Sequence, residues 1–174
     1  MDVDILSGYY LKKRKVLFGN NNKIGILKGG GNVENVKIYL SGAMSELNFD
    51  EQSKWRQQVQ NAIKFGDYDY NKKPLFFDPT QYYSFEEERH KSEREIMEFD
   101  LHNLRNSDLV IVNFNDPKSI GTASELAIAK ELHIPIIGIN QNGQKLHPWL
   151  VEFTSRMCDS LREAVEYVVE FYLN

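Results

Sequence analysis

The chain has 174 residues, long enough for one ordinary domain with a core of its own, and its 41% hydrophobic and 26% charged residues are normal for a soluble globular protein. A net charge of −4 argues against a polymeric nucleic-acid partner, and a single cysteine, Cys158, excludes an intrachain disulfide. No apolar run reaches the roughly 18 residues of a membrane span, and the first residues lack the basic-then-apolar order of a secretory signal, so a cytoplasmic location and no membrane partner are expected.

Residues 1–35 differ from the rest and are read as an N-terminal extension. Two short apolar runs, Val16 to Phe18 and Ile24 to Leu27, flank Gly19-Asn20-Asn21-Asn22, the pattern of a β-hairpin. Gly29-Gly30-Gly31-Asn32 then reads as a connector. As a phosphate loop it lacks the Lys-Ser/Thr ending, and it precedes a strand instead of a helix.

From Val36 to residue 174 strands and helices alternate. Strands are predicted at Val36–Leu40, Pro74–Asp78, Asp108–Phe114 and Ile134–Asn140, with a weaker fifth at Arg156–Cys158. Helices are predicted at Asp50–Phe65, Phe85–Asn106, Thr122–His133 and Ser160–Leu173. Trp55, Val59 and Ile63 recur at i, i+4, i+8 in the first, and Leu161, Val165, Val168 and Phe171 or Tyr172 line the last, each a stripe for docking on a sheet. The series predicts an α/β fold, a three-layer α/β/α sandwich of the flavodoxin-like or Rossmann-like kind. Its five parallel strands take the order 2-1-3-4-5. Strands 1 and 3 are then neighbours at the switch point, where such sheets keep their ligands.

Both of those strands run into unusual loops. The first ends in Ser41-Gly42, and Gly42 suits either a close backbone approach to a ligand or an ordinary turn. The third leads through Asn113 and Asp116 to Ser119 and Gly121, with a helix expected from Thr122 and Glu125 in its first turn. Together the loops suggest a pocket of nucleoside or nucleotide size.

Glu125 has two readings. An ionised carboxylate at a helix entrance can act as a nucleophile; alternatively Thr122-Ala123-Ser124-Glu125 is a capping box. Asp100 falls beside the Met97, Leu101, Leu104 stripe of the long helix, where burial would raise its pKa and suit proton donation. The alternative is an Asp that reaches solvent or a neighbouring loop. Tyr39, near the end of the first strand, needs a polar partner for its hydroxyl if buried, or is a plain strand aromatic. Ser119 and Gly121 stand at a helix entrance, which suits an anion or a turn. Asn113 and Asp116 suit a sugar hydroxyl or the shaping of the same loop. His90, His102, His133 and His147 show no metal-ligand spacing, so no metal and no cofactor are expected. Glu86-Glu87-Glu88 reads as a solvated helix start. Gly-x-Ser-x-Gly, Walker and G-x-G-x-x-G motifs are missing, which argues against serine hydrolases, P-loop enzymes and standard dinucleotide oxidoreductases.

Three pieces, in order, carry a resemblance. They are Lys37-Ile38-Tyr39-Leu40-Ser41-Gly42; Asp100 ahead of Ser107-Asp108-Leu109-Val110; and Gly121-Thr122-Ala123-Ser124-Glu125-Leu126 with Ile134-Pro135-Ile136-Ile137. From Val36 onward the chain resembles the nucleoside 2-deoxyribosyltransferase-like family, including its 2'-deoxynucleoside 5'-monophosphate N-hydrolase branch. The resemblance implies cleavage or exchange of an N-glycosidic bond, with Glu125 as nucleophile, Asp100 assisting the departing base and Tyr39 orienting Glu125. It implies a small-molecule nucleoside or nucleotide substrate and a homo-oligomer. It also bears on Ser119, since the monophosphate hydrolases carry Ser there and the free-nucleoside transferases an acidic residue. Ser41-Gly42-Ala43-Met44 departs from the Arg-and-Gly-rich first loop of the hydrolases. A non-catalytic nucleotide sensor that kept the pocket is the competing expectation.

Overall fold

In the computed structural model, which describes residues 33–45, 47–82 and 92–174, five strands form one parallel sheet. They are β1 (Asn35–Gly42), β2 (Lys73–Phe77), β3 (Leu109–Asn113), β4 (Ile136–Ile139) and β5 (Arg156–Cys158), in the order β2-β1-β3-β4-β5. Both the strand set and the order agree with the alternation read from the sequence. The N-terminal hairpin and the Glu86-Glu87-Glu88 helix start lie outside the described residues.

The helices are α1 (Phe49–Phe65), α2 (Glu93–Arg105), α3 (Ile120–Glu131), α4 (Pro148–Phe153) and α5 (Leu161–Val168), the last continued by a π-helical turn at Val169–Leu173. One face of the sheet, through Tyr39, Val110, Val112 and Ile136, packs with Leu104 of α2, Leu126 and Ala129 of α3 and Leu150 of α4. The opposite parity, Ile38, Leu40, Ile111, Ile137 and Ile139, is equally buried. Trp55, Val59 and Ile63 of α1 and Leu161, Val165 and Val168 of α5 are buried with it, and α1 packs beside α5. Burial on both faces explains why β3 is apolar from Leu109 to Val112.

Two boundaries near the sheet's switch point differ from expectation, for local reasons. β1 runs two residues further, because Ser41 and Gly42 pair with Val112 and Asn113 of β3. Gly42 is therefore a strand residue and not a turn. A Cβ there would lie 3.0 Å from the Trp55 ring and 3.2 Å from the Asn113 carbonyl, so its lack of side chain serves helix-to-sheet contact. α3 starts two residues early, with Ser119 as N-cap accepting from the Thr122 N–H at 3.3 Å. The loop thus does not turn on Gly121, which is the second residue of the helix with open space around it. Met97 is 51% exposed and lies off the α2 stripe, which Leu104 anchors instead. The short helix α4, begun by Pro148 and capped by His147, and a 3₁₀ turn at Pro79–Gln81 were not foreseen.

Candidate active site

Tyr39 and Ser41 are two apart on β1 and so project from the same face of the sheet. That face meets α3, and both hydroxyls converge on one carboxylate. Tyr39 Oη donates to Glu125 Oε1 at 2.7 Å, and Ser41 Oγ donates to Glu125 Oε2 at 2.6 Å. Each carboxylate oxygen therefore accepts one short, charge-assisted hydrogen bond from strands at the switch point. The Tyr39 ring is itself held in a stack: Phe77 at 5.3 Å, then Tyr82 at 4.9 Å from Phe77, with Phe99 set against both.

The capping-box alternative for Glu125 does not hold. Ser119 is the cap, and Glu125 is the sixth residue of α3, past the first turn and its free N–H groups. Its carboxyl lies deep beside the sheet. Burial pushes it up from 4.5 to about 7, against the Ser41 and Tyr39 hydrogen bonds and Arg56, which hold it down; Asp100 adds to the rise. Asp100, half-buried on α2, is thus electrostatically coupled to Glu125, as expected of two acids sharing one site.

The remaining candidates divide. Ser41 joins the carboxylate directly. Asn113 is buried at the end of β3, opposite Gly42. Asp116 shapes the loop, its Oδ1 accepting from the Lys118 N–H at 3.0 Å and its carbonyl from the Ser119 N–H at 3.3 Å. The Ser119 hydroxyl accepts from Thr122 Oγ1 at 3.0 Å, which leaves its own hydrogen free to donate outward. The loop is tied from behind by Gln144, whose amide donates to the Phe114 and Asn115 carbonyls at 3.0 and 3.1 Å. Asn115 Oδ1, next to this tie, is buried without a partner.

Sequence reading passed over one group altogether. Gln52, Arg56 and Gln60 on α1 are spaced i, i+4, i+8 and all are buried. Arg56, with no exposed surface, donates to the Leu40 carbonyl at 3.1 Å and to the Gly42 carbonyl at 2.9 Å, and also to the Gln52 carbonyl. Asp78, at the exit of β2, stands 3.7 Å from its Nε. Asp78 in turn accepts from Gln60 at 3.0 Å and from the Thr80 hydroxyl and N–H at 2.7 and 3.0 Å. The signal was the polar line beside the Trp55 stripe, which in a helix covered by a sheet edge is not a solvated face. Among the described residues no group of three or more His, Cys, Asp or Glu is placed to hold a metal ion.

The sequence model of nucleoside 2-deoxyribosyltransferases matches residues 38–170, which include β1 from Ile38 onward and every site residue named above. The chain belongs to the nucleoside 2-deoxyribosyltransferase family. Its fold is shared by solved structures of low identity. A 2-deoxyribosyltransferase from Bacillus psychrosaccharolyticus is 18% identical, with 76% of this chain and 92% of that one covered at a TM-score of 0.59. A 2-deoxyribosyltransferase from Leishmania mexicana is 19% identical, with 79% and 99% covered at 0.56. A conserved protein from Enterococcus faecalis V583 is 16% identical, with 78% and 98% covered at 0.60. No curated protein matches the chain in sequence. Membership in the nucleoside 2-deoxyribosyltransferase family makes this a protein of nucleoside chemistry.

Proposed function

We propose that the protein cleaves or exchanges the N-glycosidic bond of deoxynucleosides or their 5'-monophosphates, with Glu125 as nucleophile. The observation that carries this reading is the Glu125 carboxylate, oriented by two hydroxyls from one strand. A carboxylate oxygen of Glu125 attacks the anomeric carbon, the C–N bond breaks, and its electron pair leaves with the base. Asp100 supplies or relays the proton that the departing base takes up. The glycosyl ester is then taken by a second base, giving transfer, or by water, giving hydrolysis. Tyr39 and Ser41 fix which lone pair faces the sugar. The outward hydrogen of Ser119 suits a 5'-oxygen or phosphate, where a carboxylate would repel the latter.

The test is product analysis by mass spectrometry. The full chain is incubated with mixed 2'-deoxynucleosides and monophosphates, with and without a second free base. Free or exchanged base is expected from the wild type. None is expected from Glu125→Ala, and Asp100→Asn should be slowed by roughly 100-fold or more, the scale of general-acid help. Equal turnover by wild type and a folded Glu125→Ala would overturn the assignment.

A further inference from the structure

Arg56 is the largest fully buried side chain in the described residues, and it is a cation. An isolated charge cannot be carried in an interior without partners, so its position demands an account. Its partners are few and specific. Nε and Nη2 hold the Leu40 and Gly42 carbonyls, those of the residues on either side of Ser41. Arg56 reaches them from the α1 side of the sheet: the direction of a Gly42 Cβ meets Trp55 and Arg56, whereas Ser41 points the other way, to Glu125. A planar guanidinium with several fixed donors is suited to gripping two main-chain oxygens at once, which a single ammonium cannot do.

We propose that Arg56 is a positioning residue of the Glu125 site: it clamps β1 on both sides of Ser41 and supplies the one buried positive charge among the described residues, set by Asp78. The proposal rests on Glu125 being the nucleophile. The charged and titratable groups acting on Glu125 are Tyr39 from β1, Asp100 from α2 and Arg56 from α1. Asp78, beyond the end of β2, acts on Arg56. Burial favours protonation of Glu125, and the charge of Asp100 favours it further. Arg56 opposes both effects. Asp78 tempers Arg56, because it neutralises part of the charge and is held in place by Gln60 and Thr80.

Three variants separate the clamp from the charge. Arg56→Met removes both, so the acid limb of kcat/KM should move to higher pH by about one unit, the size expected for losing a nearby opposite charge. Arg56→Lys keeps the charge but cannot grip both carbonyls. The limb should stay where it is in the wild type while kcat falls about tenfold, the scale of one charge-assisted hydrogen bond. Asp78→Asn leaves Arg56 unopposed, and the limb should move the other way, to lower pH. A carbon-13 NMR titration of carboxyl-labelled glutamate, with the Glu125 signal assigned by its loss in Glu125→Gln, reads the same shifts without turnover. A role in folding alone would move the limb in neither variant, or in the same direction in both, and either result overturns the proposal. If Arg56→Met does not fold, the downward shift in Asp78→Asn decides. Should the wild type act on no nucleoside, the glycosyl reading fails while the NMR shifts still test Arg56.

Discussion

A carboxyl group raised by burial to about 7 destabilises the protein that contains it wherever it must ionise, and the size of that effect follows from the site. Glu125 sits at 4.5 when unfolded, so the unfolded chain releases its proton first as pH rises. A group whose folded value is raised contributes stability that is complete below the unfolded value and is lost as pH climbs through the folded one. Integrating the linkage for 4.5 against about 7 gives a loss of about 2.5 kcal/mol between pH 5 and pH 8. Glu125→Gln removes the titration. Its amide oxygen still accepts from one hydroxyl, and the other hydroxyl can turn to accept from the amide, so the exchange of hydrogen bonds costs about 1 kcal/mol at every pH. The variant should therefore be close to wild type or slightly weaker at pH 5. It should gain on wild type steadily to pH 8, with a relative rise in Tm of roughly 5–10 °C for a domain of this size. Thermal melts of the two proteins in parallel from pH 5 to 8 measure it. A difference in stability that is flat across that window would refute the claim that Glu125 is held against its preferred protonation state.

Ser41→Ala and Tyr39→Phe each remove a donor to the ionised carboxylate, which lets its pKa rise further. Activity relative to wild type should then fall as pH is lowered from 8.5 to 6 in both variants, and more steeply for Ser41→Ala; pH-rate profiles check it. Gly138→Ala places a methyl 2.8 Å from the Phe114 ring, 3.0 Å from Met157 Sδ and 3.0 Å from Thr154 Cγ2. Overpacking of that kind costs about 1–3 kcal/mol, and urea denaturation should show it as a lower midpoint with an unchanged slope.

The central strands β3 and β4 were readable because each is a mostly apolar run, and covering both faces of a parallel sheet leaves no polar alternation to confuse the pattern. Tyr39, Ser41 and Glu125 were each picked out, and the family resemblance paired Tyr39 with Glu125; that Ser41 is the second donor was not visible, since residues more than 80 positions apart share no local signal. Two hydroxylated residues in quick succession, Ser119 and Thr122, competed for the cap of α3, and tertiary contact gave Glu125 to β1 instead. Helix α4 has six residues and a single buried one, Leu150, too few for any periodicity. Arg56 was hidden by a prior: charged residues are nearly always at the surface, and the partners that allow this exception, the β1 carbonyls and Asp78, are brought to it by the fold.

Placing both hydroxyls at alternate positions of one strand has an effect on how the protein can diversify. A single inserted or deleted residue ahead of Tyr39 would rotate both away from α3 together, so that stretch tolerates no change of length. Just past Gly42 the chain leaves the sheet, and lengthening or trimming it there disturbs neither donor. That bend can thus be re-cut while the Glu125 carboxylate and its two donors stay where they were.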